Sequence, residues 1–243
     1  CQIIIFNKLI KNEMKKQVLI LIALFTIYSS CFAQDCKNFI YMTSGKVVKY
    51  SSTNPKGKLT SKMVYTVKAK TGNKATVNSQ VFDDKGKEIT SANSEMVCEG
   101  NNLKIDMRNF MPSANSSQFK GMTAKADVSY LSYPTKMSTG QALPDGSFTM
   151  QMYNDSQKMA DMAFNIVDRK IEGTESVTTP AGTYDCYKIS YSAEIKTTTF
   201  GISIPINMKI TEWYSAKLGL YVKSEANSKN GKLMSTTTLE SVN

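Results

Sequence analysis

The 243-residue chain contains no histidine. That absence removes the Ser–His and Cys–His nucleophile arrangements, His-ligated zinc and the usual general base at neutral pH. Arginine is almost as scarce: Arg108 and Arg169 are the two among 30 basic residues, against 20 acidic ones. The positive charge is therefore lysine. It is scattered and not interleaved with aromatics, so nucleic acid is not an expected partner. Rossmann glycine runs, Walker loops, H-E-x-x-H and EF-hand loops are also missing. Ser117–Lys120, Ser91–Asn93 and Lys70–Gly72 spell the three boxes of serine β-lactamases. Their order is reversed and no helical subdomain accompanies them, so they read as coincidence. No cofactor and no metal site is expected, and the chain is expected to be non-catalytic.

Long apolar runs are missing too, apart from Val18–Ile27. Ten residues are too few to span a bilayer, which takes about 20. Lys15 and Lys16 precede this run, and a small polar stretch ending at Ala33 follows it. The three-part pattern reads as a signal peptide over residues 14–33, cleaved to leave Gln34 first. Residues 1–13, which begin with Cys, read as an upstream extension outside the fold. The alternative is lipoprotein processing at Cys31, against which Tyr28 occupies a position that favours an aliphatic residue. Residues 34–243 then form a single β-rich domain with 26 basic and 19 acidic residues, a net +7. The mature chain carries no transmembrane segment, and peripheral contact with a membrane stays open. It is expected to be exported, periplasmic or extracellular. Cys36, Cys98 and Cys186 would sit in an oxidising compartment, where one disulfide and one spare thiol are the simplest outcome, with three pairings possible.

What is abundant is alternation. Tyr187 to Lys196, Ile202 to Thr211, Leu103 to Met107 and Phe148 to Met152 alternate with period two, and Met63, Tyr65, Val67 and Ala69 keep the same period. Such runs are half-buried antiparallel strands. Pro205 cannot donate to a ladder, so its strand is an edge or is irregular there. Asn54-Pro55-Lys56-Gly57-Lys58, Asp83-Asp84-Lys85-Gly86-Lys87 and Lys229-Asn230-Gly231-Lys232 are hairpin turns of related composition. About a dozen strands follow, with one short helix around Pro112–Lys120 and a longer loop over Tyr133–Leu143. One sheet of that size must curl or close. The fold class is mainly β: a single, strongly curved antiparallel meander, half-barrel or clamshell, with at most one or two short helices.

Chemistry is harder to place. Asp83, Asp84, Asp155, Asp161, Asp168, Glu172 and Glu212 could supply a carboxylate pair for hydrolysis, although most fall on polar strand faces or in turns. Methionine is over-used, with eight between Met107 and Met162. An unbranched thioether repacks easily, which suits either core filling or a pliable apolar lining.

The run Pro180-Ala-Gly-Thr-Tyr-Asp-Cys-Tyr-Lys-Ile189 is the most distinctive in the chain. Together with Glu212-Trp213-Tyr214, Leu218-Gly219-Leu220, Asp35-Cys36 and Cys98-Glu99-Gly100, it resembles a TapB-like family of exported Bacteroidota proteins. That family is related to domains of unknown function built on a curved sheet like that of lipoprotein-localisation factors. Pro180, Gly182, Thr183, Asp185, Cys186 and Trp213 carry the motif. Each also has a structural reading, as a folding corner and a core aromatic. The resemblance carries over no catalytic residue. It implies a concave apolar face for a lipid-like or apolar ligand, with Met150, Met152, Met162, Phe164, Ile189, Tyr191, Ile204 and Met208 as candidate lining. The rival reading is a structural or protein-interaction module of the cell envelope, with an envelope protein as partner. For the disulfide, Cys36–Cys98 is the expected pair, tying the mature N-terminus to the early sheet.

Overall fold

The computed structural model describes residues 36–110 and 123–243. The expected signal peptide at 14–33, Cys31 and the expected helix at 112–120 lie outside the described residues.

The described residues form thirteen strands: β1 (Val47–Thr53), β2 (Leu59–Thr71), β3 (Lys74–Asp83), β4 (Glu88–Glu99), β5 (Asn102–Asp106), β6 (Thr123–Ala126), β7 (Tyr130–Pro134), β8 (Gly146–Asn154), β9 (Gln157–Thr179), β10 (Gly182–Thr199), β11 (Ile202–Ser215), β12 (Leu220–Ser228) and β13 (Leu233–Val242), with the alternating runs in β2, β5, β8, β10 and β11. No α-helix occurs among the described residues; Cys36–Asn38, Ile40–Met42 and Met107–Phe110 are short 3-10 turns. The expected long loop begins later than Tyr133, because Tyr130–Pro134 pairs with β5 as a strand.

All strands join one antiparallel sheet in the order β6-β8-β9-β10-β11-β12-β13-β1-β2-β3-β4-β5-β7. Laid flat, thirteen strands would span about 58 Å at ~4.8 Å per strand. Yet the two edge strands, β6 and β7, are separated in sequence by Asp127, Val128 and Ser129 alone. Four backbone steps reach about 14 Å, so the sheet must curl until its edges nearly meet. The result is a half-barrel. Its edges are tied near one corner: Ser129 Oγ donates to the Ser147 carbonyl at 2.7 Å. A Cβ on Gly146 would fall 2.8 Å from both Leu131 Cδ1 and Met107 Sδ, so a side chain there would have to displace both.

Antiparallel order sends the connections alternately to opposite ends. One end holds the turns after β2, β4, β9 and β11, and it is closed by the chain entering the fold. Cys36, Phe39, Tyr41 and Met42 are buried there, and Ile40 N–H donates to the Leu218 carbonyl at 2.9 Å. Gly219, at φ +73°, lies under the Phe39 ring, where a Cβ would stand 2.1 Å from Cγ. A Cys36–Cys98 disulfide, Cα–Cα 5.6 Å, anchors this segment to β4. Cys186 is the free, buried thiol, pushed up to about 12 by burial and by nearby Asp185 and Glu175.

The opposite end holds the hairpin tips after β1, β3, β8, β10 and β12. The longest is β10–β11. β12 stops at Ser228, opposite Met208, so Ile202–Asn207 have a strand partner on the β10 side alone. Pro205 lies in this stretch, opposite Lys196. The missing donor is accommodated where the strand is locally an edge.

Candidate functional site

On β9, β10 and β11 the inward positions are set by register. Ile166 faces Ala193, and Ala193 faces Met208; Tyr191 faces Ile210; Phe164 faces Ile195. These side chains meet those of β1, β2, β12 and β13 across the curl. Between them lies a cavity of about 390 Å³. Phe164, Ile195, Met208 and Ile210 give it an apolar wall, while Tyr41, Leu220 and Tyr214 lie toward the plugged end. That volume falls within the range of about 300–1,000 Å³ common for small-molecule sites.

Ser52, Ser224, Ser235 and Thr237 also border the cavity, and a buried polar cluster interrupts its apolar wall. Glu212 is buried, and its Oε1 accepts from Tyr191 OH at 2.6 Å while Oε2 accepts from Tyr133 OH at 3.0 Å. Tyr133 stacks on Tyr214 with centroids 4.9 Å apart. The Arg169 guanidinium lies 4.7 Å from the Tyr133 ring centroid. Its Nη1 donates to the carbonyls of Ser132 (2.9 Å) and Pro144 (2.8 Å), pinning β9 to the β7 edge of the sheet. Arg169 reaches this position from a kink at Asp168, which has φ +58°, in the stretch where the β9–β10 register shifts.

Burial raises the carboxyl of Glu212 above the usual carboxylate range, and the two tyrosine donors and Arg169 offset part of that rise. Burial and the neighbouring carboxylate hold Tyr133 and Tyr191 well above ordinary phenol values, so both remain donors at neutral pH. The arrangement is a hydrogen-bonded carboxylate inside an apolar shell. Of the seven carboxylates considered for hydrolysis, Glu212 is the one in the cavity wall. Asp84, Asp155, Asp168 and Glu172 are exposed, and Asp83 and Asp161 are half-buried on other parts of the sheet.

The candidate lining residues divide. Phe164, Tyr191 and Met208 line the cavity. Met152, Met162 and Ile189 are buried but contribute to the packed core instead of the cavity wall. Met150 is buried and borders a separate, more polar pocket with Arg108 and Lys125. Ile204 requires correction: it is 61% exposed on the overrunning hairpin, because β12 ends before it can be covered. Tyr133 and Arg169 were not among the candidate site residues read from sequence, and Tyr214 appeared there only as part of the Glu212-Trp213-Tyr214 run. The available signal was that arginine is nearly absent, so each one present had a reason to be there.

The family motif forms a corner at the closed end. β9 ends at Thr179, Pro180 and Ala181 turn, and Gly182 starts β10 at φ +133°. Tyr184 OH closes the corner by donating to the Ala181 carbonyl at 2.7 Å, and Thr178 and Thr183 hydroxyls meet at 3.0 Å. Asp185 is exposed and Cys186 buried. Trp213 lies outside the cavity, with Nε1 donating to Glu175 and Lys223 at 4.4 Å from its ring. These residues build the scaffold and do not touch the cavity.

The sheet, its curl and its corner can be set beside known proteins. The DUF3108-like family pattern matches residues 43–239, which takes in β1 through most of β13. The chain belongs to the DUF3108-like family. Two solved structures are similar to this family member over 83% of its length and 96% of theirs. One, from Bacteroides fragilis, is described as an exported protein with a YmcC-like fold; it is 22% identical with a TM-score of 0.64. The other, from Parabacteroides distasonis, is described as a lipoprotein; it is 24% identical with a TM-score of 0.67. At that identity they establish the fold. No curated protein matches the chain. Among the described residues, no helix is long and apolar enough to cross a membrane.

Proposed function

We propose that this DUF3108-like protein is an exported, non-catalytic binding protein that shelters an apolar or amphipathic ligand inside its curled sheet. The cavity carries the reading. A sheet that buried its whole inner face would have no space of about 390 Å³ lined by Phe164, Ile195, Met208 and Ile210. Close packing is the norm in protein interiors, and empty space of this size is costly to maintain. The Glu212–Tyr191–Tyr133 cluster would orient the polar end of such a ligand. The descriptions of the two solved relatives and the N-terminal pattern at 14–33 support export. The narrower TapB-like grouping belongs to this same reading.

The test is extraction of natively purified protein with organic solvent, followed by mass spectrometry, and thermal denaturation with added fatty acids or lysophospholipids. A co-purifying amphiphile is expected. Ligand at about 100 times its Kd should raise the midpoint by about 5–10 °C for a chain of this size. Ala193→Phe, which fills the cavity wall, should abolish that shift. With no amphiphile and no shift, the cavity reading fails and the envelope-interaction reading takes its place.

A further inference from the structure

The inward-facing positions of β11 do not stop where the cavity stops. Ile210 and Met208 line it, and the next positions on the same face are Ile206, Ile204 and Ile202, leading to Phe200 in the turn. Their exposure climbs steadily outward: 49%, 61%, 69% and 80%. An inner-face stripe of a sheet thus leaves the protein and ends in solvent.

The turn itself departs from ordinary chemistry. Phe200 and Gly201 form a two-residue hairpin loop with φ +51° and +77°. That geometry favours Asn or Gly in the first position, and a bulky aromatic there is strained. Phe200 is also the most exposed large apolar side chain in the described structure. It therefore carries a conformational cost and a hydration cost with no packing in return.

Two further features say what meets this hairpin. On the β12 side in sheet order, the next two tips at the same end are Lys229-Asn230-Gly231-Lys232 and Asn54-Pro55-Lys56-Gly57-Lys58, while the neighbouring tip on the β9 side carries Asp155. Both carry lysine and no acid; Lys58 approaches Asp84 at 3.9 Å across the next tip. The unpaired edge of Ile202–Asn207 contains Pro205, which interrupts the row of donors that an added strand needs. Strand addition by another chain is disfavoured there, while an apolar medium bordered by negative charge satisfies every feature at once.

We propose that the β10–β11 hairpin is a membrane-docking element: Phe200, Ile202 and Ile204 enter an anionic phospholipid bilayer, and the lysine tips on its β12 side engage the headgroups. Apolar insertion combined with basic contacts is the two-part chemistry by which peripheral proteins bind such surfaces. The inference stands whether or not the cavity holds a ligand.

Vesicle flotation tests it, using equal parts phosphatidylethanolamine and phosphatidylglycerol against phosphatidylcholine alone. The full chain should float with the anionic vesicles. Phe200→Ser with Ile202→Ser and Ile204→Ser should bind about a hundredfold more weakly, from the loss of buried apolar surface. Lys56→Glu with Lys229→Glu and Lys232→Glu should remove the preference for phosphatidylglycerol and its salt dependence. All these chains share the same N-terminal segment, so the difference between them reports the hairpin. Phe200→Trp supplies a direct readout: its emission should shift to the blue on anionic vesicles and be quenched by lipids brominated on the acyl chain, while buried Trp213 stays silent. Equal flotation of wild type and the serine variant, unchanged emission from Phe200→Trp, or hairpin-dependent self-association without vesicle binding would each overturn the proposal.

Discussion

The two ends of this half-barrel are made by the same strands and treated in opposite ways. At the closed end, Cys36, Phe39, Tyr41 and Met42 cover the sheet's inner face, a disulfide fixes the cover, and Gly219 is left without a side chain so that Phe39 can fit. At the open end, the longest hairpin overruns its neighbour and leaves isoleucines and a phenylalanine in solvent. Alternation is identical at both ends. What differs is whether another segment arrives to cover the apolar face, so amphipathic patterning specifies which face is apolar and leaves open what it contacts.

Four substitutions would break or sharpen that contrast. The largest effect is expected at the closed end. Cys36→Ser removes a cross-link closing a loop of 62 residues and should cost about 4 kcal/mol in urea denaturation. Thiol counting on the unfolded wild-type protein should find one reactive group from Cys186 among the three cysteines of residues 34–243. Gly219→Ala should cost about 2–3 kcal/mol by displacing Phe39 and straining a left-handed backbone. If it costs nothing, the plug is looser than its packing indicates.

The third prediction is a pH dependence. The Glu212 carboxyl is raised in the folded state relative to the unfolded chain. Folded protein therefore holds that proton more tightly, so its contribution is fully present below the unfolded value and lost as pH rises through the folded one. Glu212→Gln, which keeps the size but cannot ionise, should flatten this slope. Its stability relative to wild type should then improve steadily from acid to neutral pH in denaturant titrations at several pH values. An unchanged slope would mean that Tyr133, Tyr191 and Arg169 fully compensate for burial. The smallest effect is at the open end, and it has the opposite sign. Phe200→Asn should stabilise the fold by about 0.5–1 kcal/mol, because asparagine suits the turn that phenylalanine strains. A residue whose replacement improves folding is held in place by something other than folding.

Much of the architecture was legible in the sequence because a half-buried strand writes its period directly into the chain. About a dozen strands and a curl were expected from alternation, turn spacing and strand number, and Pro205 marked a stretch that had to be an edge or irregular. The cavity was less legible. Alternation put Tyr191 and Met208 on one face of their strands, and Phe164 was named as candidate lining, but alternation could not separate inward and packed, as at Met152 or Ile189, from inward and lining. That distinction depends on the far wall of the curl. Ile204 was misplaced for a related reason: coverage depends on where β12 ends, a length comparison between strands that no local period contains. The Arg169–Tyr133–Glu212 cluster brings together residues from β9, β7 and β11 through a register shift, and periodic reading passes over such kinks.

The pairing of β13 with β1 in the middle of the sheet has a kinetic consequence. Val48 meets Val242, so the seam joining the two meanders closes across nearly the entire sequence. Each meander can zip up from its own hairpins, but the join carries the loop-closure entropy of the whole chain between them. Refolding should therefore show fast local phases followed by a slow one in which β13 finds β1. Substitutions at Val48 or Leu239 should slow that last phase, whereas substitutions in the outer hairpins should chiefly speed unfolding. A chain lacking its final strand could not make the seam, and it would keep two raw sheet edges exposed to aggregation.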